Sequence, residues 1–165
     1  MIKIYKNRVK PEITQNWIYL FCFILKNVLI LYYQTSFIME DLIIIGEKKT
    51  FSIPTVEFIA ETGNCSIIGE AYLEDSISFF QPLYDWLYEY IETVKKPITF
   101  ILNLSYFNTS ASKSIFDMLF ILREYVNNGG KVSVKWYYES DDEDMLLEIE
   151  DYLNDTGLDI ERIPY

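Results

Sequence analysis

A run of ten residues, ITFILNLSYF at 98–107, places the strongest constraint on what this 165-residue chain can fold into. Nearly every position in the run is apolar, which is typical of a central β-strand that other elements cover on both faces. The segment that follows has apolar residues three or four positions apart: Ile115, Leu119, Leu122 and Val126. Because Gly129-Gly130 then ends this helical periodicity, the region predicts a buried strand followed by an amphipathic helix.

The segments before this strand predict further strands and a helix. Residues 42–45 form a short apolar run, and residues 56–72 have the pattern of a hairpin around the turn Thr62-Gly63-Asn64. Residues 76–94 have the apolar periodicity of an amphipathic helix, with Pro82 near the first turn, where a helix tolerates proline.

The segments after the strand continue this alternation. Residues 131–136 alternate between apolar and polar side chains, as in a strand with one wetter face, and SDDE at 140–143 is a capping-box pattern that opens a helix ending at Gly157. Leu158 and Ile160 then predict a last short strand. Since strand-helix-strand units favour right-handed parallel crossovers, the order predicts an α/β fold: a mixed sheet of about five strands with an initial hairpin and about three helices.

Charge is divided unevenly along the chain. Residues 1–38 contain five Lys or Arg and one acidic residue, whereas residues 39–165 contain nine Lys or Arg and twenty-four Asp or Glu. We expect no binding to nucleic acid, because such an acidic surface repels a phosphate backbone.

The residue types available limit the chemistry of the chain. It contains no histidine, which excludes His-dependent nucleophilic and general-base catalysis and the commonest zinc ligand. Cys22 and Cys65 lie far apart in differently composed regions, so neither a disulfide framework nor a thiolate metal site is predicted. A protein of the reducing cytoplasm, without a cofactor, is the simplest interpretation.

The first 38 residues differ in composition from the rest. A basic segment precedes the apolar run WIYLFCFILKNVLILYY at 17–33, and an acidic, amphipathic pattern begins at Met39. Three interpretations stay open for residues 1–38: an upstream extension with Met39 as the functional start, a membrane anchor through residues 17–33, or an apolar helix packed on the domain or a partner. Residues 39–165 show no linker or repeat, and we predict a single domain there.

Other candidate sites have simpler structural explanations. The acidic run Asp141–Asp144 has oxygen ligands suited to a hard cation but lacks the spacing of a calcium loop, and acidic side chains are favoured in the first turn of a helix. No strand is followed by a glycine-rich phosphate loop. The segments 42–48 and 102–108 lack the acidic pair and phosphoacceptor Asp that a response-regulator receiver requires. We therefore predict no metal site.

Aromatic residues are concentrated in the first long helix. Tyr84 and Tyr88 are four residues apart, so they share a helix face that differs from the stripe of Leu83 and Leu87. An exposed face rich in tyrosine is typical of a protein-binding surface, although ordinary surface tyrosines would give the same pattern.

Hydroxyl and amide side chains cluster where the apolar strand meets the next helix. The junction consists of five such residues and one lysine around Ala111: Asn108, Thr109, Ser110, Ser112, Lys113 and Ser114. One explanation is helix capping, since Ser, Thr and Asn side chains accept hydrogen bonds from the first helical amides. The other is a phosphorylation site, because a phosphate there would meet free backbone N–H groups, the positive end of the helix dipole and Lys113.

From Met39 to the C-terminus the chain resembles the SiaC family of bacterial regulatory phosphoproteins, whose fold is related to the STAS domains of anti-sigma-factor antagonists. Three segments carry the resemblance: FSIPTVEF (51–58), GEAYLEDSISFFQPLYDWL (69–87) and YFNTSASKSIFDML (106–119). The resemblance implies a STAS-like sheet. It also implies that Thr109 is the phosphoacceptor, surrounded by Asn108, Ser110, Ser112 and Lys113.

The resemblance implies a function in signal transduction by partner switching. A serine/threonine protein kinase would modify Thr109, and a metal-dependent protein phosphatase would restore it. The unmodified form would bind and control an effector, such as a diguanylate cyclase, and the protein itself would not be an enzyme. The alternative from the residues alone is a small ligand-binding α/β domain, membrane-anchored if residues 17–33 are an anchor, in which Thr109 is only a helix cap.

Overall fold

The computed structural model describes residues 23–27 and 39–165. Residues 23–27 are helical (α1). The rest of the predicted extension at 1–38, including most of the apolar run, lies outside the described residues, and the interpretations given for it stay predictions. Among the helices that are described, none has the length and apolar character needed to cross a membrane.

Residues 39–165 form an α/β fold, as predicted. Their elements, in chain order, are β1 (Leu42–Ile44), β2 (Glu47–Lys48), β3 (Ser52–Ile53), β4 (Thr55–Ile59), β5 (Asn64–Ala71), α2 (Ser76–Thr93), β6 (Ile98–Phe107), α3 (Thr109–Asn127), β7 (Val132–Tyr138), α4 (Glu143–Thr156) and β8 (Ile160–Pro164). The predicted hairpin is β4–β5, and the apolar run at 98–107 is β6.

Six of these strands form one mixed sheet in the order β1-β4-β5-β6-β7-β8. β1, β4 and β5 pair in antiparallel fashion, whereas β5 to β8 are parallel. The small antiparallel pair β2–β3 lies outside this sheet and is too short to leave a hydrophobic pattern in the sequence.

The helices cover one face of the sheet. Each crossover from β5 through β8 moves one strand further in the same direction, so right-handed connections place α2, α3 and α4 on the same side. Side chains of β6 that point to that side, such as Phe100 and Leu102, are buried, whereas Ile101 and Asn103 on the other side are only half-buried. The prediction that this strand is covered on both faces is therefore wrong.

The core lies between the sheet and the three helices. Its largest fully buried side chains come from four strands and two helices: Trp136, Tyr90, Phe58, Phe80, Phe100, Ile67, Leu83, Leu87, Ile98, Leu102, Leu104 and Ile115. The α2 and α3 stripes predicted from periodicity supply the helical part of this core.

The helix ends differ from the predictions in two details. Asp142, rather than the start of the 140–143 pattern, caps α4 by accepting a hydrogen bond from the Met145 amide at 2.8 Å. Pro82 is in the second turn of α2 and is exposed. Because proline has no N–H, the carbonyl one turn earlier lacks its helical donor, and on this exposed side of the helix water can replace it. Gly157 ends α4 at a φ of 64°, as its position predicted.

Candidate functional site

Asn108 caps helix α3 at the carboxyl end of the central strand β6. Its side-chain oxygen accepts hydrogen bonds from the Ala111 amide and the Ser110 hydroxyl, both at 3.0 Å. Its side-chain amide donates to the Leu73 carbonyl at 2.9 Å, which ties the cap to the loop before α2. Capping was one of the two roles considered for Thr109 from the sequence. In the structure Asn108 caps α3 instead.

Thr109 is the first residue of α3 and its side chain is exposed. The first amides of a helix have no acceptor within the helix, and the helix dipole makes this end electropositive. An oxyanion attached to Thr109 would therefore lie beside backbone donors that need an acceptor. Exposure and position together make this hydroxyl accessible to a modifying enzyme.

Ser110 and Ser114 are occupied by contacts within the fold. The Ser110 hydroxyl lies 2.8 Å from the hydroxyl of Ser76, which is buried in the first turn of α2. Ser114 is also buried, and its hydroxyl donates to the Ser110 carbonyl at 3.1 Å. Ser110 therefore joins the first turns of α2 and α3, whereas the Ser114 hydroxyl is hydrogen-bonded within α3.

Ser112 connects α3 to α4. Its hydroxyl donates to a Glu148 carboxylate oxygen at 3.1 Å and lies 2.8 Å from the Tyr152 hydroxyl. The Tyr152 hydroxyl in turn lies 3.1 Å from the Ser112 carbonyl, to which it donates. Burial raises the pKa of Tyr152, so this phenol stays protonated and keeps its donor at physiological pH.

Lys113 forms an ion pair with Asp117 one turn further along α3. The ammonium nitrogen lies 2.8 Å from the carboxylate, and this hydrogen bond raises the pKa of Lys113. The sequence predicted that Lys113 surrounds the phosphorylation site, and it lies one turn from Thr109 on the same helix. In this structure its charge is directed to Asp117, a partner that the sequence analysis missed.

Thr109 borders a cleft of about 500 Å³ between α3 and α4. The other residues that line it are Ser112, Lys113, Phe116, Asp117, Glu148, Asp151, Tyr152 and Asp155. Four of these are acidic and one is basic, so the cleft already carries an excess of negative charge. A phosphate on Thr109 would increase that excess.

Tyr84 and Tyr88 line a second groove, of about 300 Å³, between α2 and α3. We call it the tyrosine groove; its other lining residues are Gln81, Asp117, Phe120 and Ile121. Tyr88 and Phe120 are 54% and 51% exposed. Tyr84 is held against α3 by its hydroxyl, which donates to the Ser114 carbonyl at 3.1 Å. Sequence reasoning missed Phe120, although it lies outside the apolar stripe that packs on the sheet.

The whole of this region falls within a family match. A sequence model of the SiaC family of regulatory phosphoproteins matches residues 47–165, which is most of the chain. The chain belongs to the SiaC family. Both clefts, Thr109 and the cap at Asn108 lie in the matched segment, and membership in a family of regulators makes this protein a regulator rather than an enzyme.

Relatives of known sequence and structure agree with this assignment. The chain is 31% identical over 119 residues to a protein of Pseudomonas aeruginosa strain UCBPP-PA14, covering 72% of this chain and 92% of that protein. It superimposes on apo-SiaC from Pseudomonas aeruginosa with a TM-score of 0.69 at 28% identity, covering 76% of this chain and 99% of the other.

SiaC has also been crystallised with a partner. The chain matches SiaC from a complex in which that protein is the activator of the diguanylate cyclase SiaD of Pseudomonas aeruginosa. The match has a TM-score of 0.68 at 26% identity and covers 74% of this chain and 100% of the other.

The remaining candidate groups of this SiaC-family chain have structural roles. Asp142, from the acidic run, caps α4, and within residues 23–27 and 39–165 no three ligating side chains are grouped to hold a metal ion. Cys65 is buried, which raises the pKa of its thiol and keeps it unreactive.

A third cleft, of about 610 Å³, is larger than the two described above and lies near Tyr125 and Lys131, at the end of α3 away from Thr109.

Proposed function

We propose that this SiaC-family protein is a partner-switching phosphoprotein that binds and controls an effector, a diguanylate cyclase, while Thr109 is unmodified. Phosphorylation of Thr109 ends the interaction. The observation that carries this proposal is the exposed hydroxyl of Thr109 at the first position of α3, beside a separate cap at Asn108. Because capping does not depend on the threonine, its hydroxyl is available for a regulatory role.

The modification suits the local structure. A serine/threonine protein kinase transfers the γ-phosphoryl group of ATP to the Thr109 oxygen, with loss of the hydroxyl proton and release of ADP. The product adds a charge of about −1.5 to −2 and accepts hydrogen bonds from the free amides of the first helical turn. The fold therefore tolerates the phosphate, whereas a partner seated over the junction meets a new anion.

The proposal includes a phosphatase and an effector as further partners. A metal-dependent protein phosphatase hydrolyses the phosphothreonine and returns the protein to its binding form. The effector is a diguanylate cyclase by analogy with the complex of SiaC and SiaD. Tyr84 and Tyr88 supply an aromatic contact surface next to the junction. We place this exchange of partners in the cytoplasm.

The first experiment is intact-mass and phosphopeptide analysis of the protein purified from its own host. We expect a fractional mass increase of one phosphate that maps to Thr109 and disappears on phosphatase treatment. Thr109 that stays unmodified under all growth conditions would contradict the proposal and favour the ligand-binding alternative.

The second experiment measures binding of three variants to the host diguanylate cyclase and their labelling by the host kinase. Thr109→Ala should bind the cyclase as the unmodified protein does but accept no phosphate, and Thr109→Glu should bind it more weakly. Ser112→Ala is the matched control, because it removes a neighbouring hydroxyl that is hydrogen-bonded within the fold and should leave labelling intact. Equal cyclase binding by both Thr109 variants would refute the switch.

A further inference from the structure

Helices cover only one face of the six-stranded sheet. The other side, which we call the open face, contains Ile101 and Asn103 of β6 and lies away from α2, α3 and α4. Four neighbouring strands, β5 to β8, are parallel, and sheets of parallel strands are usually covered on both faces. The topology therefore leaves room for a further layer on the open face.

Isoleucine side chains are concentrated on the open face. Strand pairing places Ile43 and Ile68 there, at 55% and 45% exposure, and Ile45, two residues beyond Ile43, is 79% exposed. Ile101 and Ile163 are half-buried on the same face. Exposed apolar patches of this kind mark sites of protein interaction.

The open face carries little net charge, although the domain is strongly acidic. One row of side chains crosses all six strands at the same register: Ile43, Glu57, Ser66, Ile101, Lys135 and Glu161. It contains two acids and one base, and the neighbouring row of Thr55, Ile68 and Asn103 contains no charge. The acidic residues of α2 and α4 lie on the other side of the sheet. Depletion of charge is typical of the core of a protein interface.

The charged positions of this row are complementary to themselves under two-fold symmetry. Glu57 is on the second strand from one edge of the sheet, and Lys135 is on the second strand from the other edge. A two-fold axis parallel to the strands, between β5 and β6, would place β4 of each copy opposite β7 of the other. Glu57 of each copy then faces Lys135 of the second copy, so a dimer contains this contact twice.

We propose that the open faces of two copies pack together, giving a two-fold dimer of four layers with the sheets inside and the helices outside. Sheets pack face to face about 10 Å apart, with their strands within about 30° of each other, and facing long side chains bridge this separation. Lys135 also lies 3.5 Å from Glu161 of its own copy, so its ammonium group in the dimer lies between two carboxylates. Burial of the isoleucines stabilises the dimer, and the contacts of Glu57 with Lys135 fix its register.

The dimer leaves the site at Thr109 accessible. Helix α3 lies on the side of the sheet away from the open face, so both copies present the N-terminus of α3 to solvent. Dimerisation therefore does not depend on phosphorylation of Thr109, and the failure of one does not entail the failure of the other.

The first test is sedimentation velocity of the full chain over a range of concentrations. We expect a reversible equilibrium between monomer and dimer. Ile68→Lys should weaken the dimer by about tenfold or more, because it places a charge in an apolar interface. Ile77→Lys is the matched control, since Ile77 is a 77% exposed isoleucine of α2, and it should dimerise as the wild type does. Circular dichroism and urea unfolding check that both variants are folded.

Charge reversal at two positions tests which strands face each other. Glu57→Lys and Lys135→Glu each place like charges opposite one another, so each variant should stay monomeric at concentrations where the wild type dimerises. Each variant supplies the charge that the other needs, and an equimolar mixture should therefore form mixed dimers. Glu89→Lys, which reverses an exposed acid of α2, is the control and should dimerise at least as well as the wild type.

The contrary outcomes are distinct. A wild-type chain that is monomeric at every concentration, or association that Ile68→Lys leaves unchanged, would show that the open face does not bind a second copy. Charge variants that stay monomeric when mixed would overturn the two-fold arrangement. Weaker binding of the host diguanylate cyclase by Ile68→Lys, together with a monomeric wild type, would assign the open face to that partner and overturn the dimer.

Discussion

Two adjacent side chains at the N-terminus of α3, Asn108 and Thr109, have different environments. The Asn108 side chain accepts from the Ala111 amide and donates to the Leu73 carbonyl, so it is tied to the fold on both sides. The Thr109 side chain is exposed at the next position. Thr109 therefore has a side chain of a type that often caps helices, but it does not cap this one.

This division predicts stability effects of different size for two neighbouring substitutions. Asn108→Ala should lower the free energy of unfolding by about 0.5–2 kcal/mol, because the first helical amides lose their acceptor. Thr109→Ala should change it by less than about 0.5 kcal/mol, as is usual for exposed positions. Urea unfolding of both variants measures the difference, and equal losses would return Thr109 to a capping role.

Asp75, the cap of α2, gives a prediction for pH dependence. The Ser78 hydroxyl and the Ser78 amide donate to its carboxylate at 2.7 and 3.0 Å, and these hydrogen bonds hold the pKa of Asp75 below its ordinary value. Since the folded-state pKa is lowered, the stabilisation is fully present above the ordinary carboxyl pKa of about 4 and is lost as the pH falls through the lowered value.

The test compares the thermal unfolding midpoints of the wild type and Asp75→Ala from pH 2 to pH 7. The midpoint of the wild type should exceed that of the variant by a constant amount above pH 5, and the gap should narrow as the solution becomes more acidic. A gap that is independent of pH would show that the carboxylate charge is not what stabilises the cap.

At the scale of elements, helix α3 contributes residues to both candidate clefts and contacts both neighbouring helices. Its first turn contains Thr109, and its outer face lines both clefts. The Ser110 hydroxyl contacts Ser76 of α2, and the Ser112 hydroxyl contacts Tyr152 of α4. The N-terminal part of α3 is therefore hydrogen-bonded to both neighbouring helices.

The contact between α3 and α4 predicts a measurable coupling energy. Ser112→Ala and Tyr152→Phe should each destabilise the protein by about 0.5–1.5 kcal/mol, the usual net value of an intramolecular hydrogen bond. The double variant should lose less than the sum, because both changes remove the same hydroxyl pair, which lies at 2.8 Å. Additive losses in a double-mutant cycle would mean that the two hydroxyls do not interact in solution.

At the scale of the whole molecule, the three helices α2, α3 and α4 of residues 39–165 lie on one face of the sheet. The opposite face is left partly exposed, with Ile43 and Ile68 at 55% and 45% exposure. The core between sheet and helices is formed by hydrophobic side chains from Met39 to Ile160. The domain that carries the site thus has its own hydrophobic core.

Because of that core, residues 39–165 should fold and function without the preceding segment. We expect the shortened protein to unfold cooperatively in urea and to bind the host diguanylate cyclase with the affinity of the full chain. Loss of cooperative unfolding in the shortened protein would show that residues 1–38 contribute to the core, and full-length protein measured in parallel is the control.

The sequence by itself determined the longer elements and the family. Apolar periodicity located α2 and α3, and a continuous apolar run located β6. Gly157 marked the end of α4, and the segment at 106–119 carried the resemblance to the SiaC family. These features are local, since a helix stripe or a cap depends on residues a few positions apart.

Only the tertiary structure decided which residues act together. The direction of each crossover left one face of the sheet open, although β6 is apolar enough for two covered faces. The same packing assigned the cap to Asn108, placed Phe120 beside the tyrosines and brought Asp117 to both clefts. Such pairings depend on which helix lies next to which, and that choice is made by burial across the whole sheet rather than by spacing along the chain.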